Sequence, residues 1–221
     1  MRRFFVGLLC ALMLSIPVRA DSGARYIALT FDDGPSGRFT RRLLEGLEDR
    51  GVKATFLLCG YRIEDYPKEA ARIAAEGHEI GLHGFSHDPM NTMSTSKVAA
   101  EIRKTAALLP ESAAFLRPPG GKYNEATIAA AKEAGLAILS WSLDPKDWAC
   151  DDAAAITARV VEKAKDGDVV LLHDMSDSSV TAALRIIDRL KERGFRFVTV
   201  SELAKTKGVA LVPGTVYNKF P

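Results

Sequence analysis

The chain is poor in the residues that most often advertise chemistry, with three cysteines, two tryptophans and four histidines in 221 residues. Three cysteines are too few for disulfides to replace a hydrophobic core. Net charge is also lacking, since 30 basic residues face 28 acidic ones. No Lys/Arg cluster or basic amphipathic helix offsets that balance, which argues against a nucleic-acid partner. A second long apolar run is absent. The single one, in "MRRFFVGLLCALMLSIPVRA", is too short and interrupted for a comfortable membrane span. Val18 and Ala20 stand behind it at cleavage spacing, so residues 1–20 read as a signal peptide, with an uncleaved N-terminal anchor as the alternative. The expectation is a secreted or periplasmic protein with no stable membrane insertion after cleavage. Removing that segment takes three arginines and no acid, leaving 27 basic residues against 28 acidic ones. Cys59 and Cys150 remain, and the sequence is compatible with a disulfide or with two separate thiols.

What is present is an alternation. Apolar, β-branched runs read as strands at about 26–33, 53–59, 78–83, 114–117, 136–143, 168–173 and 195–200. Segments with helical spacing lie between them, at 37–51, 66–77, 94–109, 124–135, 151–167 and 179–194. Gly51, Gly77, Gly135 and Gly194 are suited to their C-termini. Strands alternating with helices predict a parallel sheet covered by helices, either open and doubly wound or closed into a barrel, in one domain over residues 21–221. The tail "KTKGVALVPGTVYNKFP" has Gly and Pro punctuation and no clear period, so docked and mobile tails are both open.

In either architecture chemistry collects at the carboxyl ends of the strands. Those ends carry Asp32 and Asp33, Cys59, His83 and His87, Arg117, Asp144 and Asp147, and His173 with Asp174. Three of the four histidines are among them. Each also has a plainer structural reading. Asp33 before Gly34-Pro35 suits a turn; His83 and His87 suit a surface pair at a helix start; His173 suits a hydrogen-bonded core histidine; Arg117 before two prolines suits a loop brace. The joint arrangement on one rim outweighs these.

Five segments then carry a resemblance: "TFDDGP" (30–35), "HGFSH" (83–87), "RPPGG" (117–121), "DPKDW" (144–148) and "LLH" (171–173). In order and position they resemble the motifs of the NodB-homology polysaccharide deacetylases. The resemblance implies a deformed (β/α)7 barrel and a metal-dependent hydrolase that removes N-acetyl, or sometimes O-acetyl, groups from polymeric sugars. It assigns Asp33, His83 and His87 to the metal and Asp32 to the general base, oriented by Arg117. It places the Gly120 N–H at the developing oxyanion, Trp148 and Leu171 along a slot for the acetyl methyl, and Asp144 as hydrogen-bond partner of His173. His173, outside the metal trio, is the candidate general acid. The chain departs from the pattern at Gly84, where the family usually has Ser or Thr, which predicts a looser metal loop. It departs again at Gly120, where many members have an aromatic residue.

The residue types suit this chemistry independently. Two imidazoles and a carboxylate leave positions open for water and substrate, the arrangement of a catalytic zinc site, and ligand type favours Zn²⁺ over Co²⁺ or Ni²⁺. The expected partner is an N-acetylated polysaccharide or oligosaccharide, foremost N-acetylglucosamine in peptidoglycan or chitin-like oligomers. Hydrolysis of small cyclic amides or ureides, acetylxylan esterase activity and a non-catalytic sugar-binding module are the alternatives. A glycosidase needs two acids roughly 5–9.5 Å apart across the scissile bond, which Asp32 and Asp33 as neighbours do not offer.

Overall fold

Runs apolar on both faces need cover on both sides, and the chain supplies it by alternating strands with helices. The computed structural model describes residues 23–221, so the signal-peptide reading of residues 1–20 lies outside the described residues. In chain order the elements are β1 (Arg25–Asp32), α1 (Arg38–Asp49), β2 (Thr55–Leu58), α2 (Gly60–Asp65), α3 (Pro67–Ala75), β3 (Glu79–Leu82), α4 (Thr95–Ala106) and β4 (Phe115–Leu116). They continue with α5 (Glu125–Glu133), β5 (Ala137–Leu139), α6 (Ala153–Lys163), β6 (Val169–His173), α7 (Asp177–Glu192), β7 (Phe195–Phe197), α8 (Val200–Thr206) and β8 (Val216–Tyr217). The sheet runs β6-β1-β2-β3-β4-β5-β8, and β7 pairs with the first residues of β1. All the strand pairings are parallel. Single bridges from Leu143 to Val170 and from Asp168 to Lys219 draw the two ends of the sheet together. The result is the expected deformed (β/α)7 barrel, with the short β8 in addition.

Period-two alternation decides what each residue faces. In β1, Ile27, Leu29 and Phe31 pack outward against the helices, with Leu43, Leu44 and Leu47 of α1 and Ile186, Ile187 and Leu190 of α7 in the same cluster. Ala28 points the other way, into an inner cluster with Leu57, Phe115, Ala137, Leu139 and Val169. Leu82, Leu116 and Ile138 pack on α4 and α5 in a third cluster. Continuing the inner rows toward the carboxyl ends reaches Thr30 and Asp32, then His83, Arg117, Trp141, and Leu171 with His173. The site is therefore the upper continuation of the inner core, on the same faces of the same strands.

The opposite mouth is plugged. Val200, Leu203 and Ala204 of α8 and Phe220 of the tail complete the inner cluster, and Phe220 is fully buried. Phe220 N–H donates to the Gly167 carbonyl at 2.8 Å. Gly167 has φ 83°, and a Cβ there would fall 1.7 Å from the Phe220 carbonyl oxygen. The tail is thus docked, with β8 paired to β5.

Three elements differ from the sequence reading. The strand expected over 195–200 ends at Phe197, because Thr199 and Glu202 form a reciprocal capping box that starts α8. The strand expected over 136–143 pairs regularly only through Leu139, and its last residue rejoins the sheet at the bridge to Val170. The short α2, directly after β2, has no counterpart among the predicted helices. Cys59 and Cys150 are free thiols, and burial pushes the Cys59 thiol pKa up. No helix among the described residues is long and apolar enough to cross a membrane.

Replacing a fully buried Phe with Ala typically costs about 3–5 kcal/mol. Phe220→Ala should destabilise the fold by that amount in equilibrium urea unfolding, and a loss below about 1 kcal/mol would show that the tail does not seal the barrel.

Candidate active site

At the carboxyl ends of the strands a cavity of about 370 Å³ is lined by Asp32, Asp33, His83, His87, Gly120, Trp141, Asp144, Trp148, Leu171 and His173. Larger depressions lie beneath β3 and α8, about 440 Å³, and between α6 and α7, about 810 Å³. Neither gathers ionisable groups that converge on one point, so chemical content rather than size singles out the first.

Two consecutive carboxylates reach this cavity because the pleat ends between them. Asp32 is the last residue of β1 and points inward by parity, whereas Asp33 adopts φ 71°. That left-handed conformation is one aspartate tolerates better than most residues, and it swings the second side chain to the same side.

Arg117, fully buried, organises the first carboxylate. Its Nη1 donates to Asp32 Oδ1 at 2.6 Å and to Thr30 Oγ1 at 2.8 Å, its Nη2 to the Ser140 carbonyl at 2.9 Å and its Nε to the Leu139 carbonyl at 3.3 Å. A buried charge pair is tolerable only when its remaining donors and acceptors are met in this way. Asp32 Oδ2 is left facing the cavity side, 3.8 Å from His83 Nε2.

Asp33 Oδ1 lies 3.2 Å from His83 Nε2 and 3.1 Å from His87 Nε2. Burial would raise its pKa, but the two imidazoles outweigh that and hold the carboxyl well below the usual range. The same carboxylate raises the pKa of His87. His83 Nδ1 is 2.6 Å from the Arg117 carbonyl, so Nδ1 carries a proton and donates it there, and Nε2 is the ring atom turned to Asp33. Asp33 Oδ1 is itself buried and lacks a well-aligned hydrogen bond. One carboxylate oxygen and two imidazole nitrogens converging within 4.8 Å of one another fit a divalent cation, with the ring tautomer of His83 set by an outer partner as metal-bound histidines require.

His173 stands across the cavity, its Nε2 4.0 Å from Asp33 Oδ2. Its partner is not the expected Asp144. Asp147 takes both bonds, with Oδ1 2.8 Å from His173 Nδ1 and Oδ2 accepting the His173 backbone N–H at 2.8 Å. Asp144 is exposed and accepts the Lys146 N–H at 2.7 Å, an Asx turn that opens the loop. The left-handed Lys146 at φ 55° then turns the chain inward and buries Asp147. Burial disfavours the imidazolium of His173, yet the Asp147 carboxylate more than compensates and the pKa is raised to about 9.

Leu171 and the rings of Trp141 and Trp148 form the apolar wall, with Trp148 65% exposed at the rim. Trp141 was not among the residues expected from sequence, although it follows Ala137 and Leu139 on the inner face. Asp174 lies outside the cavity, fully buried beside Ser36 and Thr40, where it accepts from the Thr40 hydroxyl and burial pushes its carboxyl up to about 6.

A family model described as polysaccharide deacetylase matches residues 19–139. A peptidoglycan-N-acetylglucosamine deacetylase of Bacillus cereus is 39% identical over 191 residues, covering 83% of this chain and 90% of that protein. A peptidoglycan-N-acetylglucosamine deacetylase of Listeria monocytogenes is 38% identical over 183 residues, 81% of this chain, which spans only 39% of that longer relative. Among solved structures, a family 4 acetyl xylan esterase from Clostridium thermocellum in complex with a cobalt ion superposes with a TM-score of 0.83 at 33% identity, covering 89% of this chain and 100% of that one. Motif order, barrel and matched sequence agree, and the chain belongs to the polysaccharide deacetylase family.

Proposed function

We propose that the protein is an exported deacetylase that hydrolyses the N-acetyl group of N-acetylglucosamine units in peptidoglycan or chitin-like oligomers, using a divalent cation held by Asp33, His83 and His87. The observation that carries this reading is the placement of those three side chains within 4.8 Å of one another, with a separate carboxylate, Asp32, and a separate imidazole, His173, beside them. Relatives named for peptidoglycan support the polymer. Zn²⁺ is the preferred ion on ligand type. Export rests on the reading of residues 1–20.

When bound, the cation supplies Lewis acidity toward the acetyl carbonyl and lowers the pKa of a coordinated water toward about 7. Asp32 Oδ2, its sister oxygen tied to Arg117, accepts the proton of the attacking water. The Gly120 N–H, on the cavity lining, is the proposed donor to the developing negative charge. His173 Nε2 then gives its proton to the departing nitrogen as the C–N bond breaks, releasing acetate and a free amine. Asp147 keeps that imidazole oriented and charged. Leu171 and the tryptophans exclude water from the methyl group. An amine leaves far better protonated than not, so a histidine held cationic at neutral pH favours an amide over the acetylxylan ester as substrate.

Chelation should abolish acetate release from N-acetylglucosamine oligomers and Zn²⁺ should restore it; release that continues after the metal is stripped would refute the mechanism. His173→Ala should lower kcat by about 100-fold or more with metal content unchanged. The acid works only while protonated, so kcat/KM should fall as pH rises through the His173 pKa. Asp147→Asn removes the charge that raises this pKa and should move the falling limb down by at least about one unit, a shift that a pH–rate profile would detect.

A further inference from the structure

The segment from His83 to His87 carries two of the three proposed metal ligands, yet it is neither helix nor strand beyond Leu82. Its backbone is held in uncommon conformations, with φ 80° at Gly84 and 66° at His87. For a histidine this geometry persists only where surrounding bonds over-determine it.

The bonds that hold the loop fall on Gly84, Phe85 and Ser86, between the two histidines, and come from two sides. Gly60 and Tyr61, in the first turn of α2, have backbone N–H groups without intrahelical partners, and these donate to the carbonyls of Gly84 at 2.9 Å and Phe85 at 3.0 Å. From the other side one oxygen does most of the holding. Oε2 of Glu101, in the middle of α4, accepts the N–H of Phe85 at 2.8 Å, the N–H of Ser86 at 2.9 Å and the Ser86 hydroxyl at 3.0 Å. The Ser86 hydroxyl divides its proton between this oxygen and Asp88 Oδ2, which lies 2.9 Å away. One turn further along α4, Lys104 Nζ lies 5.3 Å from the centroid of the Phe85 ring.

The departure at Gly84 belongs to the same arrangement. A Cβ at this position would lie 2.9 Å from Met90 Cε and 3.5 Å from Glu101 Oε2. With no side chain there, Met90 and the α4 carboxylate close directly on the loop. The looser loop predicted from this glycine is therefore countered from another element.

We propose that Glu101 is the positioning residue of the metal centre: its carboxylate fixes the backbone between His83 and His87 so that both Nε2 atoms face Asp33. The proposal rests on the reading of Asp33, His83 and His87 as metal ligands. Groups that orient ligands without touching the ion typically change metal affinity 10–100-fold when removed.

The test is the zinc affinity of the purified protein, measured by competition with a chromophoric chelator, beside thermal melting of the metal-free form. Glu101→Leu should weaken zinc binding about 10–100-fold with little change in metal-free melting. Glu101→Gln, which retains an accepting oxygen and loses the charge, should fall between Leu and the unchanged protein. Zinc affinity unaffected by Glu101→Leu overturns the assignment, as does a Gln variant no better than Leu. If Glu101→Leu does not fold, Glu101→Gln decides alone, and an affinity equal to that of the unchanged protein overturns the proposal. An unchanged protein that takes up no zinc defeats the metal reading and this assignment with it, whereas equal affinities across the series defeat the assignment only.

Discussion

Arg117 ties the two halves of the site to one backbone position. Its guanidinium holds Asp32 while its own carbonyl meets Nδ1 of His83, so the carboxylate proposed as base and the ring proposed as metal ligand are set by the same residue. The position is fixed by β4, two residues long and paired to β3 and β5. Because alternate residues face opposite sides, a slip of one residue there would turn the guanidinium into the helical layer and release Asp32 and His83 together. Such a buried cation contributes little to net stability, since pairing mainly offsets the cost of burying it. Its contribution is to geometry.

Two adjacent carboxylates acquire different tasks from different partners. Asp32 ends a strand and meets a guanidinium. Asp33 begins a left-handed turn and meets two imidazoles. Opposite them, His173 is kept cationic by Asp147. The proposed base and the proposed acid thus stand on either side of the cluster proposed to hold the cation.

Much of this was legible in the chain. Apolar runs spaced by helical segments implied a parallel sheet covered by helices, the motif resemblance narrowed it to a barrel, and the strand-end rule gathered Asp32, Asp33, His83, His87, Arg117 and His173. Trp141 was legible in principle, two pleats beyond Ala137 on the same face. The choice between Asp144 and Asp147 was not, because both flank the same turn and only the backbone at Lys146 decides which one is buried. The helix α8 was hidden because "FRFVTV" looks like strand throughout, while the capping pair Thr199 and Glu202 reads equally well as loop. Glu101 had no local signal, since its proposed role depends on how α4 packs against Phe85 and Ser86, 16 and 15 residues earlier.

The chain's two tryptophans, Trp141 and Trp148, both line the same cavity, one packed against Gly121 and the other largely in solvent. Ultraviolet emission excited at the red edge of protein absorption therefore comes from the mouth of the barrel alone. The protein carries a built-in optical reporter there: a ligand settling over Trp148 would alter its brightness and colour, whereas events at the plugged end would leave the emission unchanged.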